Sequence, residues 1–291
     1  VCACTVLTVC SVVSAESIAQ GPYLGQAPPG STAQVFAPGL ICDTGQRQGE
    51  AWVSFSADGN TLCFNRLGYV YITKNTHQGW TTPERVESIP YGTFSCCLSP
   101  DANSIHFNYS YDPLKPYSHH RCMRTSWGWS WPQELGSPFG TLTGGFSMAA
   151  DSSIYFVAGR GRFRLAPFED DTWLQTLNLR VDADDSLKGC HPGIAPDASF
   201  MVFYSIRPGA PDGSETDLYL TLRLGRGFWS EPQNLGPQIN SREYEFGARI
   251  SPDKKYLFFN RSNGWNPRNY TGDIYWVELK EHLPESYQGR M

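Results

Sequence analysis

Ser251-Pro252-Asp253-Lys254-Lys255-Tyr256-Leu257-Phe258-Phe259-Asn260 decides the fold of this chain. A tight turn built around an aspartate opens directly into a short apolar, aromatic strand. Proline presets φ at the first central position of such a turn, and the aspartate carboxylate can cap it. The same grammar recurs upstream at Ser56-Ala57-Asp58-Gly59, Ser99-Pro100-Asp101-Ala102, Ala149-Ala150-Asp151-Ser152 and Ala195-Pro196-Asp197-Ala198. Each turn is followed by a strand of one type: Thr61–Asn65, Ser104–Asn108, Ser153–Val157 and Phe200–Tyr204. Successive aspartates lie 43, 50, 46 and 56 residues apart. A four-stranded propeller blade takes about 40–45 residues, and loop insertions lengthen it.

The remaining strands follow in order. Third strands are expected at Tyr69–Ile72, Arg121–Arg124, Phe163–Leu165, Asp217–Leu220 and Asp273–Trp276. A fourth opens with Trp-x-x-Pro at Trp80–Pro83, Trp129–Pro132 and Trp229–Pro232, whereas the third repeat has Trp173 followed by Thr176. Proline recurring there suits an outer edge strand, where a missing N–H is harmless. The last repeat lacks this strand. Val35–Ile41 precedes the first repeat as Pro232–Gly236 precedes the fifth, so it is expected to pair with the last blade and close the ring. The expected fold is therefore all-β: a five-bladed β-propeller of four-stranded blades, closed by an N-terminal strand in the last blade. It would occupy residues 35–283, after a linker at 16–34 and before a tail at 284–291.

Composition agrees with many strands and turns. Of 291 residues, 14% are aromatic, with 28 glycines and 21 prolines. The formal charge of −5 comes without a basic stripe, which argues against a nucleic-acid partner. Residues 1–15 resemble the end of a signal peptide: Val6–Val13 is apolar and Val13-Ser14-Ala15 fits a cleavage site before Glu16. The apolar run is too short to span a bilayer. Leu7-Thr8-Val9-Cys10 approaches a lipoprotein box, with Val9 where a small residue is needed. A periplasmic or secreted monomer is expected. Beyond residue 15 the cysteines are Cys42, Cys63, Cys96, Cys97, Cys122 and Cys190, an even number that permits disulfides without defining a pairing and equally fits buried thiols. No Cys-x-x-Cys pair points to zinc.

The Ser-Pro-Asp turns, the Asp-Ile-Tyr and Asp-Leu-Tyr third strands and the stretch Trp229-Ser-Glu-Pro-Gln-Asn-Leu-Gly236 resemble the WD40-like repeats of TolB-type β-propellers. The opening Tyr23–Gly30 with Phe36-Ala37-Pro38-Gly39 also resembles small secreted bacterial proteins of this kind. The likeness runs over about residues 20–280 and is weakest in the third repeat. It implies a binding or scaffolding propeller of the bacterial envelope and carries over no catalytic residue.

Function in a propeller sits in loops on a face and in the channel. Insertions at Tyr109–His120, Arg207–Thr216 and Ser262–Gly272 fall on the face opposite the Asp turns, where a protein, peptide or glycan ligand is expected. Arg66, Arg160, Arg207 and Arg261 recur near the second-strand ends, and Glu50 and Glu245 open first strands. These read either as an anion or sugar-acid site or as inter-blade ion pairs. Tyr111, Tyr117, His119, Trp265 and Tyr270 complete the candidate ligand set, the aromatics either stacking on a ligand or packing the loops. No nucleophile elbow is present. A glycan-active enzyme, a hydrolase or uronic-acid lyase, is the alternative, with Glu50, Glu245 and Asp185 as its carboxylates. No cofactor is expected. Asp182, Asp184 and Asp185 could offer oxygens to Ca²⁺, but the twelve-residue loop pattern is absent. His119, His120, Cys122 and His191 are the residues that lean towards a metal, yet adjacent strand residues point to opposite faces, so no metal site is expected.

Overall fold

The computed structural model describes residues 17–43, 49–111, 116–139, 142–159, 162–181, 189–206, 216–263 and 271–288. The signal-like segment, Arg160, Asp182, Asp184, Asp185, Arg207, Trp265 and Tyr270 lie outside them. The chain forms five antiparallel blades in a ring. The innermost strands are Glu50–Phe55, Phe94–Leu98, Leu142–Met148, Gly189–Ile194 and Tyr244–Ile250, each packed beside the next around the axis.

Each Asp turn forms as its sequence dictates. Ser56 Oγ donates to Asp58 Oδ1 at 2.5 Å, which also accepts from Asn60 N at 2.9 Å. Ser99 with Asp101 and Ser251 with Asp253 repeat the bond at 2.6 and 2.7 Å. In blades 3 and 4 alanine replaces the serine; Asp151 keeps the bond from Ser153 N, and Asp197 accepts from Ser199 N and Oγ and from Lys254 Nζ. Neighbouring turns are tied across blades: Ala57 N donates to Pro100 O and Ala150 N to Pro196 O, both at 2.8 Å.

The second strands read as continuous apolar runs because both their faces are buried. Leu62 and Phe64 pack towards blade 5 while Cys63 packs towards blade 2. Phe200 and Val202 face blade 5, whereas Met201 and Phe203 face blade 3. Five apolar clusters result, one at each blade interface. Proline interrupts the outer strand as expected: Gly79–Thr81 and Glu84–Arg85 flank Pro83, and both pair with Tyr69–Thr76.

Gln34–Val35 pairs with Trp276 and Tyr275 and so supplies the last blade's fourth strand. This ribbon is shorter than Val35–Ile41. After Phe36 N bonds Ile274 O, Ala37 turns at φ 43° and its carbonyl accepts from Leu40 and Ile41, curling the chain away. Phe36 is fully buried against Trp276, Phe258 and Phe55. The flanking segments pack onto the ring. Ser17–Ala19 pairs with Gly79–Thr81, Trp80 Nε1 donates to Gly21 O at 2.7 Å, and Tyr287 is buried beside Phe200. The six cysteines from Cys42 onward are free thiols, all buried except the half-buried Cys190.

Candidate functional site

Among the described residues, the nominated Glu50, Arg66, Glu245 and Arg261 pair within their own blades. Glu50 and Arg66 stand opposite each other in one hairpin, as do Glu245 and Arg261. Arg66 Nε lies 3.2 Å from Glu50 Oε1, and its Nη2 donates to Ile41 O at 2.6 Å. Arg261 Nε lies 2.8 Å from Glu245 Oε1, and its Nη2 donates to Ile239 O at 2.6 Å. Each guanidinium thus fastens the strand opening its blade to the linker arriving from the blade before. The corresponding partners in blade 4 are Gly189 and Ser205, so the device does not repeat there. Both glutamates are fully buried. Burial, with Asp273 adding to it, outweighs Arg66 and lifts Glu50 to about 7; burial also raises Glu245. An acid catalyst wants such a raised value, but neither side chain is open to a substrate.

The remaining candidates separate. His119 is buried between blades 2 and 3, its Nε2 2.9 Å from His106 Nδ1 and its ring stacked on Phe146 at 4.4 Å. Burial holds both imidazoles neutral, His106 near 3 and His119 well below its ordinary value. His120 faces the other way, on Phe107, and His191 lies on the channel axis, so these histidines form no common site. Tyr111 is 67% exposed, edge-on to Tyr109, and Tyr117 is 41% exposed, edge-on to Phe94 at 4.5 Å. Cys42, Glu50 and Asp273 are the one group among the described residues with metal-ligand spacing, their ligand atoms within 4.8 Å of one another. Arg66 on Glu50 opposes a cation there, and the Cys42 sulfur is bonded to both N and O of Ile274.

The channel is filled at its waist. The residues six positions before each turn aspartate are Trp52, Ser95, Gly145, His191 and Gly247. Trp52 and His191 meet edge-on at 4.5 Å. A Cβ on Gly145 would lie 2.6 Å from the His191 ring and 2.9 Å from Ser95 Oγ; one on Gly247 would lie 2.9 Å from the Trp52 ring. Phe94, Tyr204 and Phe246 surround this plug, and Tyr117 rests on Phe94. The long-loop mouth is therefore aromatic.

Towards the Asp turns the channel opens into a cup of about 120 Å³. Its inner end is lined by Ser54, Cys97, Ser147 and Arg249, each four before its turn aspartate, where blade 4 has Gly193. Ser54 Oγ accepts from Leu98 N at 3.0 Å and Ser147 Oγ from Ile194 N at 2.9 Å, so the serines sew neighbouring blades together. Arg249 differs from the rest. It is 6% exposed, its Nη1 donates to Ala248 O at 2.9 Å and its Nη2 reaches Ser95 Oγ at 3.5 Å. Its Nε has no hydrogen-bond partner, and among the described residues no carboxylate pairs with it. Above it an apolar wall of Phe55, Leu98, Met148, Ile194 and Ile250 leads to the turns. The sequence reading passed over Arg249. The signal that reveals it is the repeat alignment, where this one position carries a long cation and the other four carry small side chains.

No family model matches the sequence, and no curated protein matches it. Solved structures do. A protein described as TolB from Agrobacterium tumefaciens superposes with a TM-score of 0.52 at 13% identity, over 79% of this chain and 77% of that one. TolB from Acinetobacter baumannii gives 0.51 at 11% identity, over 79% of this chain and 57% of that one. The catalytic domain of a GH62 α-L-arabinofuranosidase from Coprinopsis cinerea overlaps at 0.48 and 11% identity, over 86% of this chain and 97% of that one. At such identities the likeness is one of fold: this chain is a five-bladed β-propeller similar in architecture to the TolB-type proteins.

Proposed function

We propose that this protein is a non-catalytic binding module of the periplasm or the secreted fraction, taking a peptide, protein or glycan on its long-loop face. The observation that carries this reading is the state of the two nominated glutamates. Glu50 and Glu245 are buried and committed to Arg66 and Arg261, so neither faces a substrate as a glycosidase acid–base pair must. The same face presents Tyr111 and Tyr117, exposed rings of the kind that stack on sugars or anchor a peptide. The envelope location draws on the resemblance to TolB-type propellers.

Screening the purified protein against glycan and peptide arrays tests the reading. A ligand whose binding weakens at least tenfold in Tyr117→Ala or Tyr111→Ala supports it. The second reading, a glycan hydrolase, is favoured by the raised Glu50 and Glu245. Turnover of a glycan that disappears in Glu50→Gln, with the fold intact, would establish the enzyme instead.

A further inference from the structure

Arg249 poses a problem of energetics. A buried cation is costly unless paired, and replacing one by an apolar side chain of similar volume is often neutral or stabilising. Holding the inner strand does not need a charge here. The neighbouring blades do so with Ser54 and Ser147, and Gly193 does so with no side chain at all. The packing instead makes room for the guanidinium's anchor. A Cβ on Gly193 would lie 2.5 Å from Ala248 O, the carbonyl that accepts from Arg249 Nη1. The guanidinium is thus tethered chiefly through Nη1, with Nη2 3.5 Å from Ser95 Oγ and the Trp52 ring centroid 5.9 Å from Cζ, and the unpartnered Nε belongs to a side chain that lines the cup.

We propose that this cup is a binding site for an aliphatic monocarboxylate, held head-down on Arg249 with its hydrocarbon part against the apolar wall. Two features select that chemistry. A guanidinium presents parallel N–H groups that match the two oxygens of a carboxylate. Nε, buried and without a partner, and Nη2, 3.5 Å from Ser95 Oγ, form the edge that the carboxylate would take up. The cup lining contains no second cation, so a single negative charge is balanced and a phosphate dianion is not. Leu98, Met148 and Ile194 then favour a hydrocarbon body over a polar one. The volume of about 120 Å³ is several times what one water requires. The site opens on the Asp-turn face, away from the long loops, and so stands independently of the ligand assigned to them.

Calorimetry and thermal melting of the purified protein with acetate, butyrate, hexanoate and hexanamide decide the matter, with sodium chloride at matched ionic strength as the control. Hexanoate should bind one to one and raise Tm, and hexanamide, which lacks the charge, should bind at least tenfold more weakly. Affinity should rise about threefold to fourfold per methylene along the acid series. Arg249→Met should erase the preference for acid over amide. Ala150→Trp, a rim substitution that narrows the entrance, should abolish hexanoate binding and remains informative should Arg249→Met fail to fold. Equal binding of acid and amide, no binding of any acid, or an undiminished preference in Arg249→Met would each overturn the proposal. An affinity flat along the acid series would also overturn it, because the wall would then contribute nothing.

Discussion

Arg66 Nε sits 3.2 Å from Glu50 Oε1 across the first hairpin of blade 1, while the other end of the same guanidinium donates to the Leu40 and Ile41 carbonyls. One side chain therefore joins the first blade to the segment that closes the ring. Removing it would leave a fully buried carboxylate beside Asp273 without its cation. Arg66→Met should cost about 3–5 kcal/mol, the range for breaking a buried pair from one side. Arg66→Met with Glu50→Gln should recover part of the loss. Urea unfolding of the single and double variants measures this; additive losses would show that the pair is not coupled.

Closure itself is testable at Phe36. Its ring is fully buried, 5.0 Å from Phe258 and 5.4 Å from Trp276, and it is contributed by the N-terminal segment to an interface between the first and last blades. Phe36→Ala should cost about 3–5 kcal/mol by loss of buried area and creation of a cavity. Deleting residues 35–41 should cost more, since the last blade would also lose Val35 from its two-residue fourth strand and the Phe36–Ile274 bond that follows it. Differential scanning calorimetry of both variants against the parent gives the comparison, and a deletion that melts like the parent would refute closure by this segment.

The ring was legible because its determinants are local or doubly constrained. The Asp turn needs only neighbours in sequence, and strands such as Tyr256–Phe259 are apolar or aromatic at every position because a blade lies on either side. The Glu50–Arg66 pairing was legible in kind but not in place. Both residues stand eight positions from Asp58, on either side of one turn, so the hairpin register puts them opposite within a blade rather than between blades. His119 was misplaced for a different reason. Alternation separates it from His120, but its partner His106 is diagonal, two residues from its cross-strand neighbour Asn108, and both rings enter the next interface. Arg249 depends on five strands converging, which no single segment records.

Buried imidazoles give stability a defined pH dependence. His106 and His191 take a proton only near 3 when folded, against 6.5 ordinarily, chiefly because of burial, and His119 is lowered in the same direction. Between those values the unfolded chain holds more protons, so stability falls as pH falls below 6.5, by up to about 1.4 kcal/mol per pH unit for each histidine. Glu50 acts oppositely: raised to about 7 from 4.5, it binds its proton more readily when folded, so its contribution grows as pH falls. Urea titrations between pH 7.5 and 5 should therefore show a shallower loss in His119→Gln and a steeper loss in Glu50→Gln. The reverse ordering would contradict the burial assignments.

The plugged channel makes its last demand on two glycines. At Gly145 an added methyl would meet the His191 ring at 2.6 Å and Ser95 Oγ at 2.9 Å, so Gly145→Ala should cost about 1–3 kcal/mol by overpacking. Gly247 carries a second burden, a backbone at φ +67°, and its Cβ would lie 2.2 Å from Asn260 Nδ2. Gly236, at φ +75° with nothing within 4 Å of a built Cβ, isolates the conformational share. Gly236→Ala should cost about 1–2 kcal/mol, the left-handed penalty alone. Gly247→Ala should exceed it by a further 1–3 kcal/mol or so, the clash with the plug. Denaturation midpoints of the three variants, with Gly145→Ala repeated in a His191→Ala background, test the geometry. If the axis is filled, the Gly145→Ala penalty should shrink once the imidazole is gone, because residues in contact are not additive. Equal penalties in both backgrounds would mean that Gly145 and His191 do not meet on the axis.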